Sequence, residues 1–313
     1  MEKGRRHNPD QEEECVTLSL PNKMDINKYF SRVGYKRSSK ASDLEALFEI
    51  MYRHVMTLPF ENLSVHCREP ISLNIEDIFE KVVMKQRGGW CSELNHLLFW
   101  VLKSMDYNVV MLATHVYQPH LDEYNPSATH LLLKVTIDNK VYIVDGAFGS
   151  SSQIWQPLEL ISGKDQLQTP GIFRLTENNG TWFLDKIRRK QMVSDGSFSE
   201  SELIDRSCYK KIHCFTLEER TIEFFEFSSR FHQTSPESAF ANKSVCTLQV
   251  SDGLRALVGW TYTETKYNYR EGIDLVEFKT LQNDEIEEVL REKFGIVLQS
   301  RLVVANNPGR YTI

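Results

Sequence analysis

The sequence lacks most of the features that assign a chain to a class at a glance. No apolar run approaches the ~20 residues that span a bilayer, and the start, MEKGRRHNPDQEEECV, has no apolar core of the kind a signal peptide needs. A cytoplasmic protein with no membrane partner is expected. Basic charge is not in excess: 37 Lys and Arg against 43 Asp and Glu leave a net charge of −6, which gives no footprint for nucleic acid. Cysteine is sparse, with Cys15, Cys67, Cys91, Cys208, Cys214 and Cys246 scattered through 313 residues, unlike a disulfide-stapled secreted domain. They are expected to be reduced thiols. The pair in CYKKIHC has no second ligand pair downstream at zinc spacing, so no metal is expected. The N-x-S/T matches at Asn62, Asn179 and Asn242 then carry no weight without secretion. No glycine loop of the GxGxxG type offers a phosphate cradle, and no internal repeat or low-complexity linker divides the chain.

What is present is an ordinary globular composition, 41% hydrophobic and 26% charged, enough for two or three packed units whose partners are small molecules or proteins. Residues 1–23 are polar and without period, and read as a flexible extension. From Met24 the period is helical. Asp25 is placed to cap DINKYFSRVGY, Ser42 and Glu45 make a capping box before LEALFEIMYRHVM, and Asn74 starts NIEDIFEKVV. With the helix that follows, residues 24–107 read as a helical bundle. Beyond them the pattern alternates in NVVMLATHVY, HLLLKVTI, KVYIVDG and GTWFLDKI, so that 108–215 read as a β unit. Residues 216–313 combine CTLQV, LRALVGWTY and DLVEFKTL with an amphipathic helix whose Ile286, Val289, Leu290 and Phe294 share a face and whose stop is Gly295. The fold class is α+β.

The run QRGGWCSELNHLLFWVLKSM places a cysteine directly after two glycines, at the front of a helix. Leu94, Leu97, Leu98, Val101, Leu102 and Met105 recur at the spacing of one buried helical face, which puts Cys91 in the first turn. Unpaired N–H groups and the positive end of the helix dipole gather there, and both favour a thiolate. Gly88 and Gly89 allow a tight approach that leaves the sulfur accessible. This stretch alone leaves two readings open, an acyl-accepting nucleophile or a small buried hydrophobe. A partner base decides between them.

The base is sought in THLLLKVTIDNKVYIVDGAFG. If Asp138 and Asn139 form a two-residue turn, Ile137 faces Lys140, and Leu131, Leu133, Val135, Tyr142 and Val144 fall on one apolar face. His130 then lies on the other face opposite Ala147, with Asp145 as its diagonal neighbour. A carboxylate beside an imidazole holds its tautomer while the second ring nitrogen accepts a proton. A thiol, a histidine and a carboxylate in this order are the parts of a nucleophilic triad. His54, His66, His96, His115, His120, His213 and His232 lack such a carboxylate context and are taken as bystanders.

These residues resemble the arylamine N-acetyltransferases, most closely the vertebrate members. RGGWCSELN fits the family pattern RGGxCxExN, and the likeness continues through PFENL at 59–63, HLLLKVTI, IVDGAFGSSSQIWQPLELISGKDQ and DLVEFKTL, covering residues 24–313. The resemblance implies a cysteine-protease-like (papain/transglutaminase-like) fold: an N-terminal helical bundle, a central β-barrel and a C-terminal α/β lid. It implies a ping-pong reaction in which Cys91 takes acetyl from acetyl-CoA, a co-substrate rather than a bound cofactor, and passes it to an arylamine, heterocyclic amine or hydrazine, or to the oxygen of an N-hydroxyarylamine. His130 is then the base and Asp145 the orienting carboxylate, in a monomer.

By the same resemblance, Glu61 and Arg87 form an ion pair behind the nucleophile, and Phe60, Thr129, His130 and Phe148 line the acceptor pocket with the loop 146–152. Pro126, Ser127, Phe231, Glu237 and Arg310 meet the coenzyme, and Thr129 falls in both sets. In VDGAFG the small pair stands as Gly then Ala, where many relatives have the reverse, which makes Ala147 a candidate for altered acceptor preference. A thiol hydrolase or transglutaminase-like acyl transferase uses the same triad and is the rival reading.

Overall fold

The computed structural model describes residues 24–36, 43–187, 190–193, 209–268 and 273–307. The extension 1–23 with Cys15, and also Ser42, Cys208 and Arg310, lie outside the described residues.

Local sequence sets the helix starts. Asp25 caps α1 (Ile26–Val33) by accepting the Asn27 N–H, and Gly34, at φ 69°, ends it in the left-handed region. Helix α2 (Leu44–Thr57) is capped by Asp43, whose carboxylate accepts the Ala46 N–H at 2.7 Å. The cap expected on Ser42, which would have used the Glu45 N–H, falls one residue later, on Asp43 with the Ala46 N–H. A short α3 (Leu63–His66) follows, which the pattern did not suggest. Asn74 caps α4 (Ile75–Phe79) as expected, and α4 runs on as a π-helical turn over Glu80–Met84. Helix α5 (Cys91–Ser104) begins at the cysteine itself, and Leu94, Leu97, Leu98, Val101, Leu102 and Met105 are all fully buried.

Strand β1 (Phe60–Glu61) precedes α3, and after α5 come β2 (Asn108–Gln118), β3 (Glu123–Tyr124), β4 (His130–Ile137), β5 (Lys140–Val144), β6 (Leu158–Glu159), β7 (Asp165–Gln168), β8 (Gly171–Asn178), β9 (Thr181–Ile187), β10 (Lys190–Val193) and β11 (Tyr209–Arg220). The last part holds α6 (Glu226–Thr234), α7 (Ala239–Asn242), β12 (Val245–Val250), β13 (Gly253–Val258), β14 (Thr261–Asn268), β15 (Ile273–Thr280) and α8 (Ile286–Phe294), which Gly295 terminates at φ 68°. One antiparallel sheet runs β6-β5-β4-β2-β11-β9-β8-β7, with β3 pairing β2. Its two ends approach: Gln166 in β7 donates to the Glu159 carbonyl at 2.9 Å and accepts the Glu159 N–H at 2.8 Å, so the sheet curls into a nearly closed barrel. The β4–β5 hairpin has the register expected from its turn, Ile137 opposite Lys140 through Leu133 opposite Val144, with Asp138 and Asn139 both at positive φ.

The second sheet, β1-β12-β13-β14-β15-β10, takes strands from three parts of the chain, and only β10 runs parallel to its neighbour. Side chains from the helices and both sheets merge into one apolar core reaching from Tyr29 to Tyr267, in which Leu94, Leu97, Leu131 and Leu133 are fully buried. A smaller cluster packs Ile286, Leu290 and Phe294 of α8 against Cys246 and Leu257. Among the described residues no helix is long and apolar enough to cross a membrane. The N-terminus of α5 meets the start of β4, and that meeting builds the site.

Candidate active site

The approach to Cys91 is held by backbone. Glu61 N–H donates to the Gly89 carbonyl at 2.9 Å, and Gly89 N–H to the Pro59 carbonyl at 3.2 Å, so the PFE segment and the RGG segment zip together just ahead of α5. A Cβ on Gly88 would stand 2.0 Å from the Pro59 carbonyl oxygen, and no side chain fits there. The buried Glu61–Arg87 pair clamps the zipper from behind. Arg87 Nε donates to Glu61 Oε1 at 3.0 Å and Nη2 to Oε2 at 3.1 Å, a two-point fork, while the Leu63 N–H donates to Oε2 at 2.7 Å. Burial alone would raise the Glu61 carboxyl, but the charges of Lys81 and Arg87 and these hydrogen bonds hold it below the usual range. Glu93 accepts the Trp90 N–H at 3.1 Å and pairs with Lys81 at 2.8 Å, fixing the first turn of α5.

Cys91 is half-buried, whereas Cys67, Cys214 and Cys246, the other described cysteines, are buried. Its thiol points at the Thr129 carbonyl, 3.9 Å away, beside the His130 ring whose pKa it helps to raise. The other side of that ring is engaged, since His130 Nε2 meets Asp145 Oδ2 at 2.7 Å with both side chains buried. The β4–β5 ladder ends at Leu133–Val144, so Asp145 leaves the sheet just where it reaches back to His130. Burial would lower the His130 pKa, yet Asp145 and Cys91, by charge and hydrogen bond, outweigh it and push the ring up to about 10. Burial likewise would raise Asp145, and the contacts with His130, His213 and Asn95 hold it below the usual carboxylate range.

The three candidate catalytic side chains therefore come together, and their neighbours include residues to which the sequence reading gave no role, among them the final Asn of the RGGxCxExN pattern. Asn95 sits one turn after Cys91 on the same face of α5. Its Nδ2 donates to Asp145 Oδ1 at 2.9 Å and to the Leu131 carbonyl at 2.7 Å, and its Oδ1 accepts the Gly146 N–H at 2.7 Å. The i, i+4 spacing from the cysteine was the available signal. Gln153 pins the loop after Asp145, donating to the Asp145 carbonyl and accepting the Phe148 N–H, both at 2.5 Å. His213, taken as a bystander, is buried with its ring stacked on His130 at 5.9 Å between centroids. No local signal marks it, because β11 reaches the site only through sheet pairing.

Phe148 stands edge-on to His130, centroids 5.2 Å apart, and is half-buried beside the sulfur's approach. Phe60 packs against Gly149, where a Cβ would lie 2.3 Å from its ring. The loop is tied to the second sheet by Thr247, which donates to the Gly149 carbonyl at 2.7 Å. The Ala147 methyl is buried in the core.

With this geometry in hand, the chain can be set beside known proteins. The N-acetyltransferase family matches residues 43–303. The chain belongs to this family. It is 52% identical over 290 residues to a pineal gland isozyme of arylamine N-acetyltransferase from Gallus gallus, a match that covers 93% of this chain and all of the relative. Arylamine N-acetyltransferase 1 of Homo sapiens is 49% identical with the same coverage. Among solved structures, the Mycobacterium marinum arylamine N-acetyltransferase in complex with CoA superposes with a TM-score of 0.73 at 25% identity, covering 87% of this chain and 93% of that one. The α+β architecture is thus that of the N-acetyltransferases.

Within this family frame, the expected coenzyme residues lie on two separate segments. Pro126 and Ser127 are exposed on the turn that leads into Thr129, and Pro126 lines a cavity of about 320 Å³ with His115, Tyr124 and Cys214. Phe231 is half-buried on α6, where it meets His232 edge-on; His232 in turn packs on Trp90, the residue before Cys91. Glu237 is exposed in the α6–α7 connection.

Proposed function

We propose that the chain transfers acetyl from acetyl-CoA to the nitrogen of arylamines, heterocyclic amines or hydrazines through a thioester on Cys91. The observation that carries this reading is the Cys91–His130–Asp145 constellation, a half-buried thiol beside a buried ring and carboxylate, in a chain of the N-acetyltransferase family. Its relatives named arylamine N-acetyltransferases, and the neighbour in complex with CoA, support the acyl donor and acceptor class.

The chemistry follows from the charges. Asp145 favours the protonated form of His130, the counter-ion that a Cys91 thiolate needs when it attacks. The sulfur attacks the thioester carbonyl of acetyl-CoA, the tetrahedral oxyanion forms, and its collapse expels the coenzyme thiolate, which leaves with the His130 proton. The backbone N–H of Cys91, a first-turn amide with no partner inside the helix, is the donor proposed for the oxyanion. His130 is then neutral beside an acetyl-cysteine. An aromatic amine, uncharged and nucleophilic at pH 7, attacks the new thioester; His130 takes its proton, the C–S bond breaks and the amide departs. Asp145 keeps the ring oriented throughout. The hydroxyl oxygen of an N-hydroxyarylamine enters the same step as an alternative acceptor.

Phe148 is the wall proposed to stack on the aryl ring, with Phe60 and Thr129 beside it. Pro126, Ser127, Phe231, Glu237 and Arg310 are the proposed coenzyme contacts. The units proposed are a helical bundle over 24–107, a barrel over 108–215 and a lid over 216–313, in a cytoplasmic monomer without nucleic-acid or membrane partners.

Intact-protein mass spectrometry tests the reading. With acetyl-CoA and no amine, one acetyl adduct is expected on the native chain and none on Cys91→Ser, and a pulse of aromatic amine removes the adduct as N-acetylated product. Release of CoA without amine, with no standing adduct, would instead identify a thiol hydrolase.

A further inference from the structure

Strand β11 breaks its own regularity where it passes the site. Lys211 pairs with Asp185 of β9, but His213 pairs with the very next residue back, Leu184, so Ile212 is the extra residue of a β-bulge. A bulge re-aims the side chains that follow it, and the four residues from Ile212 to Phe215 are all buried. His213 is delivered beside both the base and the aromatic wall, 5.9 Å from the His130 ring, 5.8 Å from Phe148 and 5.8 Å from Phe215.

The His213 Nδ1 atom is buried and has no hydrogen-bond partner among the described residues, and the same holds for Thr114 Oγ1. The two belong to one surface. Thr114 lies opposite His130 in one ladder and opposite Phe215 in the other, and His213, two residues from Phe215, points to that same face. Two unsatisfied buried polar atoms on the face that carries the base are a cost that only a polar group placed there removes.

We infer that His213 and Thr114 form a neutral polar subsite of the acceptor pocket, which selects arylamines bearing an uncharged hydrogen-bonding ring substituent, a hydroxyl above all. The inference rests on the arylamine acetyltransferase reading given above. A phenolic hydroxyl both donates and accepts, and so satisfies an imidazole nitrogen and a threonine hydroxyl together. Burial, with the nearby His130 charge adding to it and Asp145 opposing, lowers the His213 pKa to about 3. The ring is therefore uncharged at physiological pH, and with Asp145 close by it gives a carboxylate substituent no cation to pair with. The bulge, the missing partners and the position beside Phe148 then have one explanation.

The test compares kcat/KM for 4-aminophenol, 4-methoxyaniline and 4-aminobenzoate in the full chain and in His213→Phe, His213→Gln and Thr114→Val. The methoxy compound matches the phenol in electron donation and lacks the O–H donor. The native chain is expected to favour 4-aminophenol over both others. His213→Phe should cut the phenol-to-methoxy ratio roughly tenfold, the worth of one buried hydrogen bond; Thr114→Val should cut it less, and His213→Gln should retain most of it.

A ratio unchanged in His213→Phe and Thr114→Val, or a native preference for 4-aminobenzoate, overturns the subsite. So does a His213→Phe chain that no longer takes acetyl from acetyl-CoA, since that assigns the ring to the chemistry at His130. Failure of the native chain itself to form an acetyl-enzyme, read separately by mass, defeats the underlying function instead.

Discussion

Two buried ion pairs flank the first turn of α5, and they differ in what is left over once the pair is made. Behind the turn, Arg87 and Glu61 are saturated: the fork between them, the Leu63 and Gly88 amides on the carboxylate, and Ser64 and Glu69 on the guanidinium leave little free hydrogen-bonding capacity. In front of it, His130 spends one nitrogen on Asp145 and turns the other side of its ring to a half-exposed thiol. A saturated pair is a clamp, whereas a pair with one site unspent beside a nucleophile is a proton carrier. The comparison makes distinct predictions for the two.

Breaking the front pair should cost rate. Asp145→Asn leaves the ring without its carboxylate, and a fall in the rate of acetyl-enzyme formation of roughly 10³–10⁴ is expected. Stopped-flow CoA release, with far-UV circular dichroism to check the fold, measures it; a loss below about tenfold would place Asp145 with the clamp. Breaking the rear pair should cost stability. Arg87→Met strands the buried Glu61 charge, and a loss of about 3–5 kcal/mol is expected in urea unfolding. Adding Glu61→Leu should recover part of it, because the uncompensated charge goes while the Leu63 and Gly88 amides still lose their acceptor. If the double variant is as unstable as the single, desolvation of Glu61 is not the cause.

Asn95 joins the two sides, since it grows from the clamped helix and grips the reactive carboxylate. Asn95→Leu takes a donor from the Leu131 carbonyl and from Asp145 Oδ1, which keeps the Ala147 amide, and strips the Gly146 amide of its side-chain acceptor, and about 1–3 kcal/mol of stability per group left unsatisfied is at stake. The loss in kcat is expected to be smaller than for Asp145→Asn, with the defect in the proton-transfer step rather than in KM for the amine. A selective rise in KM would move Asn95 into the acceptor pocket.

How much of this was legible beforehand depends on the range of the interaction. The helix start at Cys91, the Asp25, Asn74 and Gly295 boundaries and the Asp138–Asn139 hairpin register are written in residues within one turn of each other, where capping and turn chemistry decide. The nearness of His130 and Asp145 was reachable because a two-residue turn fixes the register as far as Leu133 and Val144, although the expected pairing of His130 with Ala147 does not form and Asp145 reaches the ring from beyond the end of β5. His213 was not: its place depends on a bulge and on pairing between β11 and β2, about a hundred residues apart in the chain, and nothing local records either. Asp43 displaced Ser42 at α2 for the opposite reason, two equivalent caps standing side by side. The role of the β1 segment as a strand of the second sheet depends on β12, and its PFENL motif alone does not announce it.

The last prediction concerns pH. His130 has a folded pKa of about 10 against an unfolded value near 6.5, so between these values the folded state holds a proton that the unfolded state has released, and stability falls as pH rises through that window. His54 and His213 are the reverse. Both are buried, and burial lowers each to about 3, with Arg32 adding to the effect at His54 and His130 at His213, against opposition from Asp145. Below pH 6.5 the unfolded chain takes up protons that these two rings refuse, and stability falls as pH drops. The opposed slopes place a stability maximum near pH 6.5, each histidine contributing up to ~1.4 kcal/mol per pH unit inside its window. Urea midpoints measured from pH 4.5 to 9.5 test this directly. Asp145→Asn should flatten the alkaline slope, because the carboxylate that raises His130 is gone, and should leave an acid slope in place. If instead the alkaline slope survives, the charge that holds the His130 proton is not that of Asp145, and the distinction between a proton carrier in front of α5 and a clamp behind it fails at its central residue.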